Sequence, residues 1–287
     1  MPKLLGPRDG IAVELPTGKR IFIAADDHPN VNPEALAWCD VFGIVNLRPD
    51  KAGCIADSRI VPIGPSMGIR WRSDLQAASY LIRARLSGGN RFAGLPARLR
   101  SLIKHQHERL PLSAYRTGQT KSNYLFFISS AWKRHPGTIS PRLHFIETAK
   151  AMKGLQFEGG VVGGDDPHLA AERPYPLAEY ISKTQASVLA FNTPAVHECL
   201  GWKLAEFLAL GKAIVTLPLP RVMPSPLVHG VHAHIVDGSR ESIQAAIEKI
   251  CADTAYRQLL EHNARAYFDE WLAPKAVAAR LIAICQS

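Results

Sequence analysis

A chain of 287 residues with 47% hydrophobic content is long enough for two folded cores. Its 34 Lys and Arg against 25 Asp and Glu give a formal net charge of +9, which directs attention to anionic partners such as phosphates, nucleotides and acidic membrane surfaces. Five scattered cysteines without a C-x-x-C pair argue against a disulfide framework or zinc ribbon, and no apolar run is long enough to span a bilayer.

In chain order, "IAVEL" and "RIFIA" flank the turn "PTGK" and read as a hairpin over residues 11–24. "PEALAWCD" opens with proline in a first helical turn, and "VFGIVNL" and "RIVPIG" are strands ended by turn residues. Residues 73–86 and 96–110 have helical periodicity, separated by the loop "SGGNRFAG". The polar stretch "SAYRTGQTKSN" places a boundary that divides the chain into domains 1–118 and 119–287. Beyond it, "YLFFIS" is a buried strand and "PRLHFIETAKAM" a helix entered through Pro141. "LQFEGGVV" is a strand breaking at Gly159–Gly160, "PLAEYISKT" a helix and "ASVLAF" a strand. "GWKLAEFLAL" is a helix closed by Gly211, "KAIVTL" and "AHIV" are strands, and a helix capped by "DGS" precedes two more. This alternation predicts an α/β fold, a parallel sheet with helices on both faces.

Ligands of such sheets bind beyond the carboxyl ends of the strands, often at helix N-termini. The helix starting near Gly201 follows the strand "ASVLAF", so its free N–H groups suit a diphosphate. Glu206 lies inside that helix beside Leu204, Phe207 and Leu208; it is either an exposed or locally hydrogen-bonded glutamate or the partner of a hydroxyl-bearing ligand. "EGGVVGGDD" fails the G-x-G-x-x-G test at Val161, so no dinucleotide fingerprint is present, and a tight nucleotide-facing loop at Gly159 and Gly160 is the expectation. Asp165 and Asp166 read as solvated loop carboxylates, and His229, His232 and His234 as structural or substrate-facing rather than metal-binding.

Glu198-Cys-Leu-Gly201-Trp-Lys-Leu-Ala-Glu206, followed by "FLALGKAIV", resembles the E-x7-E segment of nucleotide-sugar glycosyltransferases of the GT-B fold. Together with "FFISSAW", "FEGG", "FNTPAV" and "LVHGVHAHIVDG", it is similar to bacterial surface-polysaccharide glycosyltransferases over residues 123–285. The resemblance implies two Rossmann-like domains facing across a cleft, the N-terminal one abbreviated. By position it puts Glu206 on the ribose hydroxyls, Gly201, Trp202 and Lys203 at the diphosphate and donor sugar, and Glu198 near that sugar. Phosphate neutralisation would draw on Lys133, Arg134 and Arg142. In the N-terminal half, Asp27 and His28 follow the strand "RIFIA" and are candidates for the base on an acceptor hydroxyl, although Asp-Asp-His-Pro is equally turn chemistry.

The implied reaction moves a sugar from a nucleotide-sugar donor to a glycan or lipid-linked acceptor during surface polysaccharide synthesis, without metal or other cofactor. A cytoplasmic location is expected, with peripheral contact at an anionic inner membrane face, and no nucleic-acid partner, because the basic residues are not interleaved with aromatics. The alternatives are a sugar-nucleotide epimerase of the same architecture and a non-catalytic subunit binding nucleotide or anionic lipid.

Overall fold

The computed structural model describes residues 10–25, 27, 30–49, 57–70, 73–87, 95–131, 136–163 and 166–287. Strands β1 (Ile11–Glu14) and β2 (Arg20–Ala24) form the expected antiparallel hairpin, with Ile11 opposite Ile23. β3 (Val41–Ile44) and β4 (Ile60–Pro62) add parallel, in the order β1-β2-β3-β4. Helix α1 (Pro33–Trp38) starts because Asn32 Oδ1 accepts from the backbone N–H of Glu34 at 2.9 Å and of Ala35 at 3.2 Å.

Alternation along the strands gives the sheet two apolar faces. Phe22, Phe42 and Ile44 pack against Ala35 and Cys39 at α1. Ile21, Val41 and Val45 pack against Leu281 and Cys285 of the last helix, α9 (Pro274–Gln286). Helices α2 (Asp74–Ser87) and α3 (Leu95–Glu108) pair with each other and lead to the second unit.

There, β5 (Tyr124–Ser130) and β6 (Gln156–Val162) pair in parallel, as do β7 (Ala190–Asn192), β8 (Ile214–Thr216) and β9 (His234–Ile235). The two sets adjoin where Val188 N–H donates to Tyr124 O at 2.7 Å and Phe126 N–H to Ser187 Oγ at 2.9 Å. Helices α4 (Pro136–Ala151) and α7 (Arg240–Ala252) cover one side, with Phe145 stacked on Phe191 at 4.2 Å. Helices α5 (Leu177–Ala186) and α6 (Trp202–Ala209) cover the other through Tyr180, Ile181, Leu204 and Leu208. A π-helical turn, Phe268–Leu272, joins α8 (Thr254–Tyr267) to α9, which crosses back onto β2 and β3.

Two local expectations are corrected. Strand β6 does not break at its glycines but runs through them to Val162. Gly159 has φ of 119°, and a Cβ there would stand 1.9 Å from Phe127 O; Gly160, with φ of 142°, is crowded by Leu169 O. These glycines allow neighbouring backbone to approach. Helix α4 reaches back to Pro136, with Pro141 inside it, so this proline forgoes a bond to the Gly137 carbonyl without ending the helix.

The carboxyl ends of the strands in the two units meet. Asn46, just past β3, accepts at Oδ1 from Leu200 N–H at 2.8 Å, and Val222 N–H, past β8, donates to Leu47 O at 2.9 Å. Cys199 Sγ lies 3.0 Å from Asp27 O.

Candidate functional site

The parallel strands of the second unit put the end of β5 (Ser129, Ser130) and the loop after β7 on one rim, together with the start of α6. Gly201 is the N-cap of α6 and offers no side chain to the helix start; Leu204 N–H turns back to Gly201 O at 3.1 Å, which leaves those of Trp202 and Lys203 at the open end of the helix. Gly201 has an ordinary φ of −76°, and a Cβ there would touch only Ala195, at 3.6 Å. The protein's own packing therefore does not require glycine here. The unfilled space belongs to a cavity of about 190 Å³ lined by Ser129, Ser130, Arg142, Asn192, Thr193, Trp202 and Lys203, among others.

Two cations converge on this cavity. Helix α4 carries Arg142, which is buried and donates from Nε to Thr193 Oγ1 at 2.9 Å. Burial pulls its pKa below the usual arginine value, and among the described residues no carboxylate pairs with it. Lys203, in the first turn of α6, donates to Ile128 O. Burial and then the nearby Arg142 push its ammonium down to about 8. Two like charges this close in a desolvated site repel, and an anion is what would relieve them. Ser129 Oγ, buried at the same rim, has no hydrogen-bond partner among the described residues.

On the next face of α6, Glu206 lines a second cavity of about 390 Å³ with Tyr175, Tyr180, Pro174 and Val162; Ser129, Ser130, Trp202 and Lys203 are common to both cavities. Glu206 is 7% exposed, so the exposed-glutamate alternative is excluded. Tyr180 Oη donates to its Oε2 at 3.1 Å, yet burial outweighs this bond and the pull of Lys203 and pushes the carboxyl up to about 7. Tyr175 is itself anchored. Its Oη donates to Glu158 Oε1 at 3.0 Å, and the Arg173 guanidinium lies 4.4 Å from its ring. Tyr124 and Lys183 complete the Glu158 cluster.

The remaining candidates separate into groups. Glu198 is exposed and lines a third cavity, of about 550 Å³, that shares Thr193 and Ala195 with the first. Trp202, 55% exposed, lies at the junction of the first two cavities, with the Arg109 guanidinium 5.8 Å from its ring. Asp27 is exposed, its backbone beside Cys199. Gly159 and Gly160 sit within β6 and line none of these cavities, which the crowding described above explains. His28, Lys133, Arg134 and Asp165 lie outside the described residues.

His229, His232 and His234 are engaged structurally: His229 Nδ1 accepts from Ile235 N–H at 3.0 Å, His232 Nδ1 from Val228 N–H at 3.0 Å, and His234 Nδ1 lies 2.9 Å from Tyr256 Oη. No group of three or more His, Cys, Asp or Glu among the described residues is placed to hold a metal ion. No helix among them is long and apolar enough to cross a membrane.

Sequence reading missed Ser129, Thr193, Tyr175 and Tyr180. Tyr180 is visible in "LAEYISKT" as an aromatic on a helix, but nothing in that pattern directs it to a carboxylate 26 residues away.

No family model matches the sequence, and no curated protein matches it. Among solved structures, TarM aligns with 95% of this chain at a TM-score of 0.50 and 8% identity, the chain spanning 51% of its length. The fold is GT-B-like. An α,α-trehalose-phosphate synthase (UDP-forming) from Burkholderia vietnamiensis aligns with 93% of this chain and 68% of its own at a TM-score of 0.48 and 12% identity. A glycosyltransferase from Rickettsia africae aligns with 90% and 67% at 0.47 and 10%. At such identities the likeness concerns architecture alone.

Proposed function

We propose that this protein binds a nucleotide-sugar on its C-terminal unit and transfers the sugar to an acceptor hydroxyl. The observation that carries this reading is the convergence of Arg142 and Lys203, with no carboxylate on Arg142 among the described residues, at the start of α6 and next to the buried Glu206. Two cations, free helix N–H groups and an unpartnered serine hydroxyl suit a diphosphate. A buried carboxylate one helical turn away suits a pair of ribose hydroxyls, since its two oxygens both accept.

In the reaction, the acceptor oxygen bonds to the anomeric carbon, the bond from that carbon to the diphosphate breaks, the acceptor's proton passes to a base, and the nucleoside diphosphate leaves with added negative charge. Arg142, Lys203 and the α6 N-terminus would stabilise that charge where it develops. The sugar would extend toward Glu198, and the acceptor would enter from the side of the N-terminal unit, where Asp27 stands. Surface-polysaccharide synthesis, a glycan or lipid-linked acceptor, metal independence and attachment to an anionic membrane face belong to this proposal, supported by the motif resemblance and the net charge.

Thermal shift with a panel of nucleoside diphosphates and sugar nucleotides tests the reading, followed by an assay for nucleoside diphosphate release with and without candidate acceptors. Stabilisation by at least one member is expected, reduced in Glu206→Ala. Appearance of a free epimerised sugar nucleotide without acceptor would replace transfer by epimerisation.

A further inference from the structure

His197 and Glu198 are consecutive non-glycine residues in the left-handed region, with φ of 59° and 62°. Such a conformation is uncommon for one L-residue and persists in two only where the surroundings over-determine it. The turn is closed internally by Ala195 N–H to Cys199 O at 2.9 Å and Glu198 N–H to Ala195 O at 3.0 Å. Two further holds come from elsewhere in the chain. Arg221, in the loop after β8, donates from a guanidinium nitrogen to the His197 carbonyl, and Asn46, in the N-terminal unit, accepts from Leu200 N–H at 2.8 Å.

Arg221 is 4% exposed, and its Nε and remaining Nη have no hydrogen-bond partner among the described residues. Burying a guanidinium so poorly satisfied is unfavourable, and the hydrogen bond it makes to the His197 carbonyl is the one that closes the strained turn. That turn sets the direction of Glu198, which lines the cavity of about 550 Å³ joined to the Arg142 cavity through Thr193 and Ala195.

We infer that Arg221 and Asn46 are positioning residues that fix the Glu198 carboxylate against the donor sugar, so that its aim depends on how the N-terminal unit docks. The inference rests on the nucleotide-sugar reading above. It separates two tasks: Arg142, Lys203 and Glu206 hold the nucleoside diphosphate within the C-terminal unit, whereas the Glu198 turn is completed across the two units.

The test compares Arg221→Met, Arg221→Lys and Asn46→Leu with the wild-type full chain. Affinity for the panel of nucleoside diphosphates is read by thermal shift, and kcat and KM by nucleoside diphosphate release from the sugar nucleotide that the wild type turns over. Arg221→Met and Asn46→Leu should keep nucleoside diphosphate affinity and donor KM while kcat falls by about tenfold or more, as misplacement of a catalytic group does. Arg221→Lys should recover part of kcat, since an ammonium can still reach the His197 carbonyl. If Arg221→Met does not fold, the same split in Asn46→Leu carries the test. Unchanged kcat in these variants, or loss of affinity and kcat in parallel, overturns the positioning role while leaving the nucleotide reading intact. A wild type that binds no member of the panel overturns both.

Discussion

Tyr180, on α5, donates to Glu206, on α6, across 3.1 Å, and Glu206 still forms part of the wall of the 390 Å³ cavity. One hydroxyl is too little to make an ionised carboxylate comfortable at that depth, so the carboxyl is pushed up to about 7. A carboxyl raised in the folded state binds its proton more tightly there than in the unfolded chain. Stability is therefore lost as pH rises from the unfolded value through about 7. Glu206→Gln should flatten that loss and, at pH 8, raise stability by roughly 1–3 kcal/mol relative to wild type. Denaturant melts of both proteins at pH 5 and pH 8 check this; a wild type as stable at pH 8 as at pH 5 relative to the variant contradicts it.

Nucleoside diphosphate binding should be bell-shaped in pH. Glu206, faced by Tyr180, Tyr115 and Lys203, ionises at about 7, and Lys203, faced by Arg142 and Glu206, loses its proton at about 8. The ribose needs the carboxylate and the diphosphate needs the ammonium, so affinity rises through the first value and falls through the second. Titration calorimetry from pH 6 to pH 9 reads both limbs, and Glu206→Gln should abolish the acid limb alone. An alkaline limb that survives in Lys203→Met would contradict the assignment.

Arg142→Met should dissociate function from stability. A charge-assisted bond to phosphate is worth about 1.5–3 kcal/mol, so affinity for the diphosphate should fall roughly tenfold to a hundredfold. The folded protein should lose little, because this buried cation has no carboxylate partner among the described residues and is held through Thr193. Parallel loss of melting temperature and affinity would mark Arg142 as structural instead.

Two glycines should behave oppositely. Gly201→Ala places a methyl in the cavity at an ordinary φ, touching only Ala195, so stability should hold or rise by about 0.5 kcal/mol while ligand affinity drops. Gly159→Ala drives a Cβ into Phe127 O and should cost several kcal/mol, roughly 3 or more, by breaking the β5–β6 ladder. Thermal melts and ligand titrations of the two variants separate the cases. A Gly201→Ala protein with unaltered affinity would remove the diphosphate from the helix start.

The same glycines show where sequence reading ran out. Periodicity located the strands and helices of the second unit, because alternation of buried β and amphipathic α runs is a local property. Whether Gly159–Gly160 ends a strand or admits a neighbouring backbone depends on Phe127, on another strand, and on Leu169, beyond the following loop, which no local pattern relates to the glycines. Pro141 looked like a helix start because nothing local marks the turn before it as helical. At the site, Glu198, Gly201 and Glu206 share one short segment and were legible together. Thr193, Tyr180 and Arg221 reach them from other loops and helices, and only the fold brings them there. Asn46 is the extreme case, a strand-end asparagine whose partner is 154 residues away.

The most direct test is thermal shift of wild type and Glu206→Ala with UDP, GDP, ADP, CDP and dTDP and their sugar conjugates. At least one nucleotide should stabilise the wild type, and Glu206→Ala should lose most of that shift. No stabilisation by any of them, or an equal shift in the variant, would contradict the nucleotide-sugar reading.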